Sequence, residues 1–355
     1  MTRARLFSIA AFALAGVSGR AALAGPEEAL AAFKARRYLE AASEMQAVVD
    51  RSQGYAYGHF LLGHCMLKMG RIGEANREFR YAIGLDGRRP EFYQGWALSL
   101  QASGNWPLTA RAATQGLQYA DEPQERFALL ALRGYAWGAL RRWDEAVADL
   151  ESALRIKTET WVLIYLGKAR FAAGDYAIAV GPLRQALGTS PDNPAILRLL
   201  AEDLLRLAAE ERDTSRKHSV YAEALGYAQR LVSIVPEDID AVHLVGRAAL
   251  GAGKLDQAEH VFRHVIFADP RQCYALADLG RTYMAASRWG EAEAYLRKAA
   301  ACAPRMAPVY ESLGELYLQI GKPQEAAAAF RRHDEIEPTG ASASLPGTVP
   351  VFAPR

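Results

Sequence analysis

Residues 273–304 read CYALADLGRTYMAASRWGEAEAYLRKAAACAP, and this stretch decides the fold. Its apolar and small positions are Leu276, Leu279-Gly280, Tyr283, Trp289, Ala292, Leu296 and Ala299, closed by Pro304. Thirty-four residues earlier the small positions recur as Gly246 and Ala258, and thirty-four later as Gly314 and Ala326. A period this strict predicts stacked two-helix units, each burying its apolar face on its neighbours. Glycine at the eighth position lets the first helix approach the second, and alanine at the twentieth serves the same packing.

The chain has 355 residues, 51% hydrophobic and 23% charged, ordinary values for globular protein. Length alone suggests two or three domains. The period argues instead for one continuous solenoid, whose size no single closed core limits.

The order Leu279-Gly280, Tyr283, Ala292, Leu296, Pro304 resembles the tetratricopeptide repeat, with its pattern W-x2-L-G-x2-Y…A-x3-F…P. The resemblance extends over 25–338 as nine repeats. Leu62-Gly63, Ala75 and Phe79 mark the second, Trp96-Ala97 the third, Gly134 and Ala146 the fourth, and Leu166-Gly167 and Ala179 the fifth. The first is degenerate. The sixth carries eleven extra residues, 209–219 (AEERDTSRKHS), read either as extensions of both helices or as a protruding docking knob. The implied fold is an all-α, right-handed superhelical solenoid. A helix covering the last repeat is usual in such arrays; none is visible, which leaves self-association through that end open.

The two ends differ from the array. Arg3 and Arg5 precede the uncharged run Leu6 to Ser18, and Ala22-Leu23-Ala24 offers a small-x-small cleavage site. This is the pattern of a secretory signal peptide over 1–24, with Gly25 as the mature start. The run is far short of the roughly 20 residues a spanning helix needs. The expected location is periplasmic or secreted, with no transmembrane span after cleavage. The signal carries three arginines and no acid, so its removal turns the formal charge of +2 into −1. That balance argues against a nucleic-acid partner. The tail 339–355 (TGASASLPGTVPVFAPR) has three prolines and no helical period, which reads as flexible.

Little in the sequence points to catalysis. His260 and His264 have metal-ligand spacing, but the glutamate of a zinc hydrolase is missing between them, and both fall on an outer face. Gly251-Ala252-Gly253-Lys254 resembles a phosphate loop only in part, and in register it is a turn between helices. No metal, cofactor or enzymatic constellation is expected. Of three cysteines, Cys65 reads as core. Cys273 and Cys302 stand at the meeting ends of one antiparallel pair, either bridged, as export permits, or packed as small hydrophobes.

The resemblance also implies a binding face. In tetratricopeptide arrays, positions 2, 5, 9, 12 and 13 of each repeat line a concave groove. Here they give Tyr57, Phe60, His64, Tyr135, Trp161 and Phe171, then Lys168, Arg198, Arg206, His243, Arg247 and Arg281, relieved by Glu202 and Asp240. Aromatics and arginine dominate protein interfaces, and arginines suit carboxylates. The same charges read alternatively as exposed helix positions paired with neighbours. The expected function is a non-catalytic scaffold of the bacterial envelope that binds an extended peptide or protein, such as a component of envelope assembly machinery. The competing expectations are a carbohydrate-contacting scaffold of polysaccharide export or cell-wall assembly, and a self-assembling structural module.

Overall fold

The computed structural model describes residues 25–337, so the expected signal segment 1–24 and the tail 339–355 lie outside the described residues. Eighteen helices form, with no strand among the described residues, and they fall into two compact units. The first unit holds α1 (Pro26–Lys34), α2 (Tyr38–Arg51), α3 (Ala56–Lys68), α4 (Ile72–Leu85), α5 (Pro90–Ala102), α6 (Trp106–Leu117), α7 (Pro123–Ala139) and α8 (Trp143–Ile156). The second holds α9 (Thr160–Ala173), α10 (Tyr176–Thr189), α11 (Pro194–Glu210), α12 (Thr214–Ile234), α13 (Ile239–Gly251), α14 (Leu255–Ala268), α15 (Cys273–Ala285), α16 (Trp289–Cys302), α17 (Ala307–Gln319) and α18 (Pro323–Ile336). Within each unit every helix packs on the one before and the one after. No described helix is long and apolar enough to cross a membrane.

The turn inside every pair except α11–α12 is built the same way. One residue in the left-handed region ends the first helix, and the next N–H reaches back five residues to a helix carbonyl. Gly70, Gly253 and Gly321 take that role, as do the non-glycine residues Arg36 (φ 60°), Arg141 (φ 59°) and Ser287 (φ 57°). Arg288 N–H donates to Tyr283 O at 2.8 Å, and Lys322 N–H to Tyr317 O at 2.8 Å. So the turn over 251–254 is helix-closing geometry, with Gly253 at φ 73°.

Close packing follows from the small eighth residue. A Cβ at Gly246 would sit 2.5 Å from the Phe262 ring, one at Gly280 2.7 Å from Leu296, and one at Gly314 2.5 Å from Phe330. Phe262 and Leu296 are fully buried as a result. Each contributes on the order of 2 kcal/mol of apolar burial. Polar locks recur in the same register. Tyr283 accepts from Arg263 Nη2 (2.9 Å) and donates to Glu259 (3.0 Å), which also takes Arg288 (2.8 Å). One period on, Tyr317 accepts from Arg297 (3.1 Å) and donates to Glu293 (3.3 Å), which takes Lys322 (3.3 Å).

Repeat six departs from the pattern by lengthening both helices. α11 runs on to Glu210 and α12 begins at Thr214, so the charged stretch 209–219 is mostly helix around a three-residue turn rather than a separate knob. Asp213 caps α12 by accepting from Arg216 N–H at 2.7 Å. Beyond the extension, α12 leans on the next repeat through Tyr221. A Cβ at Gly251 would lie 2.3 Å from the Tyr221 ring, so only glycine leaves room for that tyrosine.

Cys273 and Cys302, the first residue of α15 and the last of α16, are joined by a disulfide with Cα atoms 5.6 Å apart. It closes the end of the hairpin opposite the Ser287 turn. Such a closure of 29 residues stabilises by about 3–4 kcal/mol in the loop-entropy account. Cys65 is a buried free thiol, pushed up to about 11 by that burial.

Candidate partner-binding face

The expected groove residues separate into two groups, one in each unit. In the first unit the aromatic stripe is largely spent on packing. Tyr57 stays 39% exposed, but Phe60 turns inward, with ring centroids 4.6 Å from His64 and 5.1 Å from Phe92. His64 stacks edge-on to Phe79 at 5.0 Å. Burial, reinforced by Lys68, pushes its pKa down to about 4, so it is a neutral packing residue at physiological pH. Tyr135 is buried against Trp106, with centroids 5.5 Å apart. Of these three positions, expected to line a groove, Tyr135 belongs to the core, and Phe60 and His64 are partly buried against neighbouring rings. The reason is the aromatic content of the neighbouring helices, which gives each ring a partner closer than solvent.

The second unit keeps its expected side chains together on the first helices of its pairs. Trp161 on α9 is 40% exposed, and Phe171 is half-buried against Tyr176, with centroids 5.2 Å apart. Lys168 on α9, Arg198 and Arg206 on α11, His243 and Arg247 on α13, and Arg281 on α15 follow in register. The structure pairs several of them. Arg198 Nη2 lies 2.6 Å from Asp238 Oδ2, His243 Nε2 lies 3.0 Å from Asp278 Oδ2, and Arg281 Nη1 lies 3.6 Å from Asp278 Oδ1.

Asp278 is buried, which acts to raise its pKa. The hydrogen bond and charge of His243, with Arg247 and Arg281, outweigh that burial and hold the carboxylate below its usual range. Glu202 is partly buried, and its pKa is raised because burial exceeds the relief from Arg198, Arg247 and Arg206, with Asp240 adding to the rise. Lys168 is pushed down by burial and partly restored by Glu202. The stripe is thus a charge lattice in which α11, α13 and α15 each carry both acids and bases.

Arg206 and Arg247 stand apart. Both are partly buried, and neither has a hydrogen bond or an ion pair among the described residues. Two further contributors lie outside the expected groove positions. Tyr221, on the lengthened α12, sits within electrostatic reach of Arg247 and Arg281. Asp278 comes from a helix position not assigned to the groove. Tyr221 holds the regular second-helix position that Trp143, Tyr176 and Trp289 hold in other repeats; nothing local in the sequence marked Asp278.

His260 and His264 are both exposed, and no group of three His, Cys, Asp or Glu among the described residues could hold a metal. A cavity of about 670 Å³ lies at the loop edge beside Cys273, lined by Arg271, Tyr274, Arg305 and Met306 among others.

The tetratricopeptide repeat model matches residues 245–307 and 277–341. Residues 245–341 therefore carry tetratricopeptide repeats, which serve in general in protein-interaction scaffolds. Among solved structures it is similar to the C-terminal part of a TPR repeat-containing protein from Cytophaga hutchinsonii, at 14% identity and a TM-score of 0.56, over 72% of this chain and 99% of that one. That likeness concerns the fold alone. A fragment of MamA from Desulfovibrio magneticus matches at 18% identity and a TM-score of 0.41, over 52% of this chain and 97% of that one. A thermophilic TPR protein of Thermus thermophilus matches at 20% identity and a TM-score of 0.39, over 59% of this chain and 100% of that one. No curated protein matches significantly.

Proposed function

We propose that this chain is a non-catalytic scaffold of the bacterial envelope, exported by its N-terminal segment, that holds an extended segment of a protein partner along α9, α11, α13 and α15. The observation that carries this reading is the charge lattice of the second unit. Arg198 and His243 are held by Asp238 and Asp278 of the next helix pair and Arg281 by Asp278 of its own helix, while Arg206 and Arg247 have no hydrogen bond or ion pair among the described residues. A face whose side chains are already ordered loses little entropy on binding, so more of the contact energy appears as affinity. The envelope machinery as partner rests on the resemblance and on the pattern of residues 1–24.

Crosslinking and capture from the envelope fraction tests it. Wild-type protein is expected to retain a partner, and Arg247→Glu with Arg281→Glu to lose it, with an unchanged thermal melt showing that the fold survives. Equal capture by both would reject the face. A second reading, contact with a glycan, is favoured by the exposure of Trp161 in the second unit and of Tyr57 in the first. Glycan binding that persists at high salt would select it over the arginine face.

A further inference from the structure

We propose that Arg206 and Arg247 receive the side-chain carboxylates of an acidic partner segment, and that Glu202 is an internal competitor for the same guanidinium groups. This rests on the scaffold reading above and names the chemistry of what the face holds.

The inference starts from a mismatch in numbers. Arg198, Arg206 and Arg247 all lie within electrostatic reach of Glu202, and each guanidinium carries five N–H donors in a rigid fork. One carboxylate satisfies one such fork in two-pronged fashion, so the three forks exceed what Glu202 can accept. Arg198 is committed elsewhere, with Asp238 at 2.6 Å, and Arg281 is held toward Asp278 at 3.6 Å. The unfilled donors are therefore those of Arg206 and Arg247, both partly shielded from water, where a charge-assisted hydrogen bond counts for more than on an open surface. Tyr221 on α12, seated on Gly251, adds a hydroxyl within electrostatic reach of Arg247.

Glu202 decides the sign of one consequence. Its negative charge attracts the neighbouring arginines and repels an arriving carboxylate. Asp240 works in the same direction from α13. Replacing Glu202 by glutamine keeps the volume and removes the repulsion, so an acidic ligand should bind more tightly. A residue that only orders the groove would, on substitution, weaken binding. An uncharged glycan would be almost indifferent to it.

The test uses the full chain and a fluorescent octaglutamate peptide, read by anisotropy at low salt. Wild type binds it, Arg206→Gln with Arg247→Gln loses affinity about tenfold or more, and Glu202→Gln gains about threefold or more, as expected when one desolvated charge contact is removed or freed. A misfolded variant cannot produce the gain, so the outcome does not depend on the arginine variant alone. Unchanged or weaker binding by Glu202→Gln overturns the proposal, as does tighter binding of an oligoguluronate than of octaglutamate, which would assign the face to an acidic glycan. Failure here with partner capture intact leaves the scaffold reading standing. Absence of any captured partner for wild type defeats that reading itself.

Discussion

Asp203 in α11 has both carboxyl oxygens buried, and neither meets a hydrogen-bond partner among the described residues. The corresponding positions of three other repeats carry Ala169, Ala248 and Thr282, all buried, and Thr282 returns its hydroxyl to Asp278 O at 2.8 Å. Burial, with Glu202 adding its charge, pushes the Asp203 pKa up to about 8. Between the ordinary carboxyl range and pH 8 the folded chain therefore keeps a proton that the unfolded chain releases. Stability falls as pH rises through that window. Asp203→Ala, which restores what neighbouring repeats carry, should raise stability at pH 8 by about 1–3 kcal/mol, the usual cost of an unsatisfied buried polar group. The gain should shrink toward pH 4. Urea unfolding at the two pH values reads both, and equal stabilisation at both would show that Asp203 is not protonated in the fold.

At the scale of the helix pair, the repeat was legible because it rests on local chemistry. Gly246, Gly280 and Gly314 mark a close approach that any side chain would block, and Ala258, Ala292 and Ala326 answer them on the second helix. The turn offers a direct check. Ser287 occupies, at φ 57°, the place that Gly253 and Gly321 hold in the adjacent repeats. A left-handed non-glycine residue costs about 1–2 kcal/mol, less what glycine adds to the freedom of the unfolded chain. Ser287→Gly should thus stabilise by about 0.5–1 kcal/mol, seen as a higher denaturant midpoint with unchanged slope. No gain would mean that the serine side chain compensates for its backbone. The candidate face was only half legible. Periodicity placed Arg198, His243, Arg247 and Arg281 on one stripe, but Asp238 and Asp278, the partners of Arg198 and His243, lie on other elements, 40 and 35 residues away. In the first unit periodicity placed Phe60, His64 and Tyr135 correctly in register, yet register does not say whether a neighbouring ring, such as Phe92 or Trp106, will cover them.

For the molecule as a whole, the pattern of residues 1–24 and the cysteine pair bear on the same question of compartment. The proposed export predicts a mature chain that starts at Gly25 and is two hydrogens lighter than the fully reduced sequence. One intact-mass measurement on the exported protein, with and without reductant, reads both quantities. Retention of Met1 would remove the envelope proposal, and a mass unaffected by reductant would show the two thiols free. The bond between Cys273 and Cys302 carries one more consequence. Every peptide bond of α15, of the Ser287 turn and of α16 lies inside the ring it closes. Backbone scission there by a protease would leave the upstream repeats and the last helix pair covalently joined, because the sulfur bridge bypasses the cut. A nicked array would stay one molecule until it met a reductant.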